Sequence, residues 1–185
     1  MAPPIQRSDE EPIDDIVARA SSGDDDAWRE LVDRYARRVG AMIVGRTGDP
    51  ELAEELTQSV FVTVAEHVMN GRYQEQGRFE SWLFRIAMNR LRDDRRRRRR
   101  VTESIQNDSL VQDASDHTSL PSNEQLRDAL NTLSDADREV ISLRHHAQLD
   151  FKAIAQLLDA PLGTVLARHH RALHKLRTAM NEAHA

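Results

Sequence analysis

"DFKAIAQLLDAPLGTVLARHHRALHKLR", Asp150 to Arg177, is the stretch on which the architecture turns. Asp150 stands where an N-cap belongs, ahead of a short run carrying Ile154, Leu157 and Leu158. A second helix opens at Pro161, a residue suited to the first helical position, and is rich in arginine and histidine. Two helices joined by so tight a turn form a helix-turn-helix, whose second helix enters the DNA major groove, or an αα-hairpin with a solvated basic face. Spacing alone leaves both open.

The helical period continues on either side. "SDADREVISLRHHAQ" has Ser134 as its cap and Val140, Ile141 and Leu143 as its apolar residues. "NEQLRDALNTL" precedes it with Leu126, Ala129, Leu130 and Leu133. Towards the N-terminus, "DDDAWRELVDRYARRVGAMIVGR" places Trp28, Leu31, Val32, Tyr35 and Val39 on one stripe, with Asp24–Asp26 at its positive end. Gly48 closes that helix. Asp49 and Pro50 open the next, in which Leu52, Leu56, Val60 and Val64 recur at steps of four before Asn70-Gly71. "FESWLFRIAMNRLRDDRRRRRR" then runs through Phe79, Trp82, Leu83, Ile86 and Leu91. No period-two alternation or internal repeat appears, so the chain reads as all-α.

Its organisation follows from composition. Residues 1–23 are acidic and proline-bearing and predict a loose arm, with a short helix over Ile13–Ala20. The first helical domain covers 24–100. A polar, patternless stretch, 101–122, has the composition of a flexible linker, and the second domain covers 123–185. Both domains sit near the lower size for independent folding.

The absence of cysteine removes disulfides and thiolate metal sites, and makes a reducing cytoplasm the simplest location. No apolar run reaches the roughly 20 residues needed to span a bilayer, and the acidic N-terminus lacks the apolar core of a signal peptide. His170 and His174 lie four apart, but no cysteine or carboxylate converges on them and arginines interleave, so no metal or other cofactor is expected. His145 and His146 read as surface residues. No nucleophile motif, phosphate loop or catalytic carboxylate pair stands out, so the chain is not expected to be an enzyme.

The formal net charge of −5 conceals segregation. Between Arg85 and Arg100 stand nine arginines against two acids, while acids collect at 8–30, 49–55 and 108–137. Such a chain presents one face to a polyanion. Asp93 and Asp94 interrupt the arginines and are placed to pair with Arg97 or Arg98 one turn on.

In detail the sequence resembles bacterial RNA polymerase sigma factors of the extracytoplasmic-function (ECF) type. The resemblance rests on Leu133, Arg138-Glu139-Val140, Leu143-Arg144, Ile154-Ala155, Pro161, Gly163-Thr164-Val165, Arg168, Arg171-Ala172 and Lys175-Leu176 in the second domain. In the first it rests on "AEELTQSVF" (Ala53–Phe61) and "FESWLFRIAMNRLRDDRRR" (Phe79–Arg97). Together these cover about three quarters of the chain, in the family's order.

The resemblance implies a subunit that binds core RNA polymerase and directs promoter recognition, DNA melting and transcription initiation, for a stress or signal-response regulon. Core-polymerase binding would fall to Glu54, Glu55 and Gln58, with Glu51 on the same arc; Ser59 stands where the family usually has an acid. The −10 element would be read from the loop and helix carrying Arg72, Tyr73, Arg78, Trp82, Arg85, Asn89, Arg92, Arg95 and Arg96, with Gln74 and Gln76 beside them. By its spacing Trp82 also fits a core position against Phe79 and Ile86. The −35 element would meet Thr164, Leu166, Arg168, Arg171 and Lys175. Leu166 and Ala167 replace the family's usual Lys-Ser, and His169 an apolar residue. These departures imply an altered −35 preference or a weaker contact compensated by the first domain. Core RNA polymerase and promoter DNA are the implied partners, with an anti-sigma protein as a further one and no insertion into a membrane.

Overall fold

The computed structural model describes residues 11–74, 78–106 and 121–182, and among them eight helices and no strand. Helix α1 (Ile13–Ser21) packs on α2 (Asp25–Thr47) and α3 (Pro50–Met69), and α4 (Phe79–Gln106) lies against α2 and α3. Helix α5 (Pro121–Asn131) and α6 (Asp135–His145) pack on α8 (Leu162–Glu182), with α7 (Phe151–Leu157) joining α6 to α8.

Local chemistry sets most helix ends. Asp24 caps α2 by accepting from the amides of Asp26 at 2.9 Å and Ala27 at 3.1 Å. Gly48, with φ 69°, ends α2 in the left-handed conformation that costs glycine least. Asp49, Ser134 and Asp150 then cap α3, α6 and α7 through the amides of Leu52, Asp137 and Ala153. The turn between α7 and α8 places Asp159 at φ 48°, a left-handed position that aspartate tolerates better than most residues.

Two sequence expectations shift. Val32, placed on the buried stripe of α2, is exposed, and Ala27, Met42 and Ile43 are buried instead alongside Leu31, Tyr35 and Val39. Helix α4 does not end at residue 100 but continues to Gln106. Asp94 supports the run through the arginines: it is buried and accepts from Arg97 at 2.9 Å and Arg98 at 2.8 Å.

Both helical domains are present, and they share a core. Val140, Leu143, Ala147, Leu149, Ile154 and Leu157 of the second join the buried cluster of the first. Contact runs from α2 to α6 and from α4 to α7. Helix α4 is therefore covered on more than one side, and its buried set includes Phe84 and Met88 besides Phe79, Leu83, Ala87 and Leu91. At about 100° per residue these six span about 180°, half the circumference and wider than the roughly 100° stripe of a helix covered on one side.

Polar groups register this joint. Arg38 donates through Nε to the Ala147 carbonyl at 3.0 Å and through Nη1 to Glu80 at 2.7 Å, with its guanidinium 5.4 Å from the centre of the Phe84 ring. The Ser142 hydroxyl donates to the Met42 carbonyl at 3.4 Å. His146 is not a surface residue. It is half-buried against Gly45, where an ideal Cβ would lie only 2.5 Å from the ring's Cε1. Burial, and then the neighbouring His145, push the His146 imidazole below its ordinary pKa and favour the neutral form.

Candidate polymerase and nucleic-acid interfaces

Three surfaces carry the residues singled out by sequence. On α3, burial of Leu52, Ala53, Leu56 and Val60 turns Glu51, Glu54, Glu55 and Gln58 outward, and all four are exposed. Gln58 donates to Glu54 at 3.5 Å, which lines the two up along the helix. Val62 continues this row one turn further and is 59% exposed, so the acidic strip ends in an apolar residue. Val62 was not assigned from the sequence. Position 62 is four residues from Gln58 and seven from Glu55, which was the available signal.

The second surface lies at the start of α4 and the loop before it. Tyr73, Phe79 and Trp82 form an aromatic cluster: Tyr73 lies 4.7 Å from Trp82 and 5.7 Å from Phe79 between ring centres, and His67 meets Trp82 edge-on at 5.9 Å. Phe79 is buried, while Tyr73 and Trp82 are half-buried, so Trp82 is both a packing residue and a presented ring. Next to the cluster, Asp14, Val17, Val68, Tyr73 and Gln74 line a groove of about 460 Å³ between α1 and the end of α3. A groove with an aromatic edge and an amide side chain can accept an unstacked base. Arg72 and Arg78 are exposed on the two flanks of this loop, and Gln76 lies outside the described residues.

Further along α4, Asn89, Arg92, Arg95 and Arg96 are exposed and Arg85 is half-buried. Arg92 is ion-paired with Glu139 at 2.7 Å and Arg95 with Asp135 at 3.4 Å, both acids belonging to α6. Arg90, which sequence reading did not assign, donates to the Thr63 hydroxyl at 2.7 Å and ties α4 to α3.

The third surface is the outer face of α8. Val165 and Ala172 are buried, which directs Gly163, Leu166, Ala167, His170, Arg171, His174 and Lys175 outward. Thr164 and Arg168 are half-buried at its edge. Arg171 lies 3.4 Å from the buried carboxylate of Asp137, so it helps hold α8 on α6 besides facing solvent. His170 and His174, adjacent to Ala167 on this face, were not assigned to it from sequence, although the spacing of 163, 167, 170 and 174 marks one side of a helix. His169 turns inward: its Nε2 and that of His145 share a hydrogen bond at 3.1 Å, and Phe151 meets its ring at 5.0 Å. Burial first, then neighbouring Arg144, lowers the pKa of His145. His169 is lowered by burial, then by His145, Arg144 and His170. Among the described residues no group of three or more His, Cys, Asp or Glu is placed to hold a metal, and no helix is long and apolar enough to cross a membrane.

Residues 28–101 match the family described as Sigma-70 region 2, and residues 129–178 match Sigma-70, region 4. The chain is 32% identical over 169 residues to the RNA polymerase sigma factor CarQ of Myxococcus xanthus, covering 90% of this chain and 96% of that one. It is 35% identical over 184 residues to the ECF RNA polymerase sigma factor SigE of Mycolicibacterium smegmatis, covering 90% and 69%. In fold it resembles the sigma factor RpoE of Bartonella quintana, solved in complex with the anti-sigma factor NepR: TM-score 0.69, 19% identity, 83% of this chain and 96% of that one.

Proposed function

The chain belongs to the ECF group of RNA polymerase sigma factors, and from that premise we propose how its surfaces divide the work of starting transcription. The exposed row Glu51, Glu54, Glu55 and Gln58 docks on a basic surface of core polymerase. The loop and face from Arg72 to Arg96 read and open the −10 element. The outer face of α8 anchors −35 DNA through Thr164, Leu166, Arg168, Arg171 and Lys175. The two domains are residues 24–100 and 123–185, the first extended by the last turns of α4. The protein itself performs no covalent chemistry, works in the cytoplasm, and is open to control by an anti-sigma protein, as the RpoE–NepR pair suggests.

The observation that carries this reading is the coexistence, on one chain, of an exposed carboxylate row on α3 and cationic faces on α4 and α8. A protein that only bound DNA would gain nothing from the first, since carboxylates repel phosphate. The test is transcription by purified core polymerase with this chain on genomic DNA, with start sites mapped by sequencing. Specific transcripts that depend on the chain are expected, and failure to bind purified core would sink the reading. Tight, specific DNA binding by the free chain would instead point to a regulator acting without polymerase.

The arginine tract makes a separate, quantitative expectation. Arg97 and Arg98 are engaged by Asp94 and Arg95 by Asp135, and Arg96 and Arg100 at either side are also exposed. Changing Arg96 and Arg100 to alanine should flatten the dependence of log K on log salt for promoter binding by up to about 1.8, at about 0.9 per phosphate contact. Sequence preference should not change. An unaltered slope would leave the tract as a solvated helix end.

A further inference from the structure

The opening turns of a helix that enters the major groove are the part that reaches base edges. At about 100° per residue, Leu162, Gly163, Leu166, Ala167 and His170 of α8 fall within one arc of about 140°, and all five are exposed. Leu162 is 40% and Leu166 43% exposed, one turn apart along the arc. His170 is the one member whose side chain can hydrogen-bond.

The cations of α8 stand elsewhere. Thr164, Arg168, Arg171 and Lys175 lie about 180–240° round from Leu162, between the exposed arc and the buried Val165 and Ala172. The Asp137 carboxylate, 3.4 Å away, holds Arg171 to that flank. Side chains so placed suit phosphates, which fix a helix in the groove without naming a base. Arginine on a guanine edge is the commonest specific contact in the major groove, and the opening arc contains no arginine.

We propose that Leu166, flanked by Leu162 and Ala167, reads the −35 element by packing on a thymine methyl, so that this chain selects T·A pairs there by apolar contact. Thymine is the one base that presents a methyl group in the major groove, and an exposed leucine loses water when it covers that methyl. Gly163 and Ala167 keep the approach open. A Cβ added at Gly163 would meet nothing within 4 Å, so no other part of the protein stands between that turn and the groove. The inference rests on the preceding reading in taking the outer face of α8 as the −35 surface.

The test uses holoenzyme, formed from core polymerase and the full chain, on duplex DNA carrying a promoter identified from its mapped start sites. Each thymine of the −35 element, on either strand, is replaced in turn by deoxyuridine, which keeps the base pair and lacks only the methyl. At one thymine or more, the replacement should weaken binding by about fourfold, the worth of one buried methyl-sized group, as read by fluorescence anisotropy. Leu166→Ala should weaken binding to the thymine duplex by a similar factor and leave thymine and deoxyuridine bound equally. Leu166→Lys should move the preference at that base pair from thymine to guanine in a library randomised across the element. Leu173→Ala, a leucine 39% exposed and about two turns further along α8, should keep the fourfold ratio.

A −35 element without thymine, or equal binding of every deoxyuridine duplex, overturns the inference. So does a fourfold ratio that survives Leu166→Ala, since the methyl would then act through DNA shape or another side chain. A ratio lost equally in Leu173→Ala overturns it as well. These outcomes are separable from failure of the preceding reading. Specific transcripts from a −35 element blind to the methyl overturn the inference alone, whereas a holoenzyme that starts transcription nowhere overturns both.

Discussion

Glu54→Lys combined with Glu55→Lys should abolish stable association with core polymerase while leaving the chain folded. Both side chains are exposed, and the residues that hold α3 in place, Leu52, Ala53, Leu56 and Val60, lie on the opposite side. Neither glutamate is in the first turn of α3, where an acid would support the helix dipole; Glu51 serves there and is left alone. Truncating one partner of a desolvated charge pair costs about 2–5 kcal/mol, and reversal adds repulsion. The dissociation constant for core should rise at least roughly 30-fold, and by thousands if both residues are buried in the complex. Titration of labelled core polymerase gives the number, and circular dichroism confirms the fold. Binding within two-fold of wild type would move the docking surface elsewhere on the molecule.

Phe84→Ala should be the most destabilising single change in the chain outside the loops. Phe84 is 0% exposed, and the guanidinium of Arg38, which bridges the two domains, lies over its ring. Truncating a buried phenylalanine typically costs about 3–5 kcal/mol through lost transfer energy and the cavity left behind. At about 2–4 °C per kcal/mol for a chain of this size, the melting temperature should fall by roughly 6–20 °C. Since the buried cluster runs through both domains, they should melt together in one transition that shifts as a whole. Two transitions, of which one moves, would show that the domains unfold separately.

These two expectations differ in what they needed. The acid row on α3 was legible in the sequence, because a four-residue apolar step defines the opposite face with no knowledge of what covers it. The caps at Asp24, Asp49, Ser134 and Asp150, the left-handed Gly48 and the pairing of Asp94 with Arg97 and Arg98 were legible for the same reason: each involves partners within four or five residues. The basic second helix of the helix-turn-helix was equally readable, with Arg168 and Lys175 on or beside its open face. His170 was not assigned, because histidine does not by itself announce which way it faces.

Phe84 and Met88 belong to the other class. The stripe through Phe79, Trp82, Leu83 and Ile86 leaves Phe84 and Met88 on the neighbouring arc beside Leu91, and the packing of α2, α3 and α7 around α4 buries that arc as well. Val32 shows the reverse error, an apolar residue on the expected stripe that the packing of α1 and α3 leaves exposed. His146 looked like a surface residue because the glycine notch that receives it lies 101 positions earlier, at Gly45.

The sequence alone therefore determined the helices, their caps, the division into two domains, the family and the character of three surfaces, since hydrogen bonding and amphipathic period act over a few residues. Only the tertiary structure decided that the domains close on one core and that Arg92 and Arg95 are held by Glu139 and Asp135, 47 and 40 residues away. Contacts at that separation depend on which surfaces fit once the helices exist, and no local pattern encodes that fit.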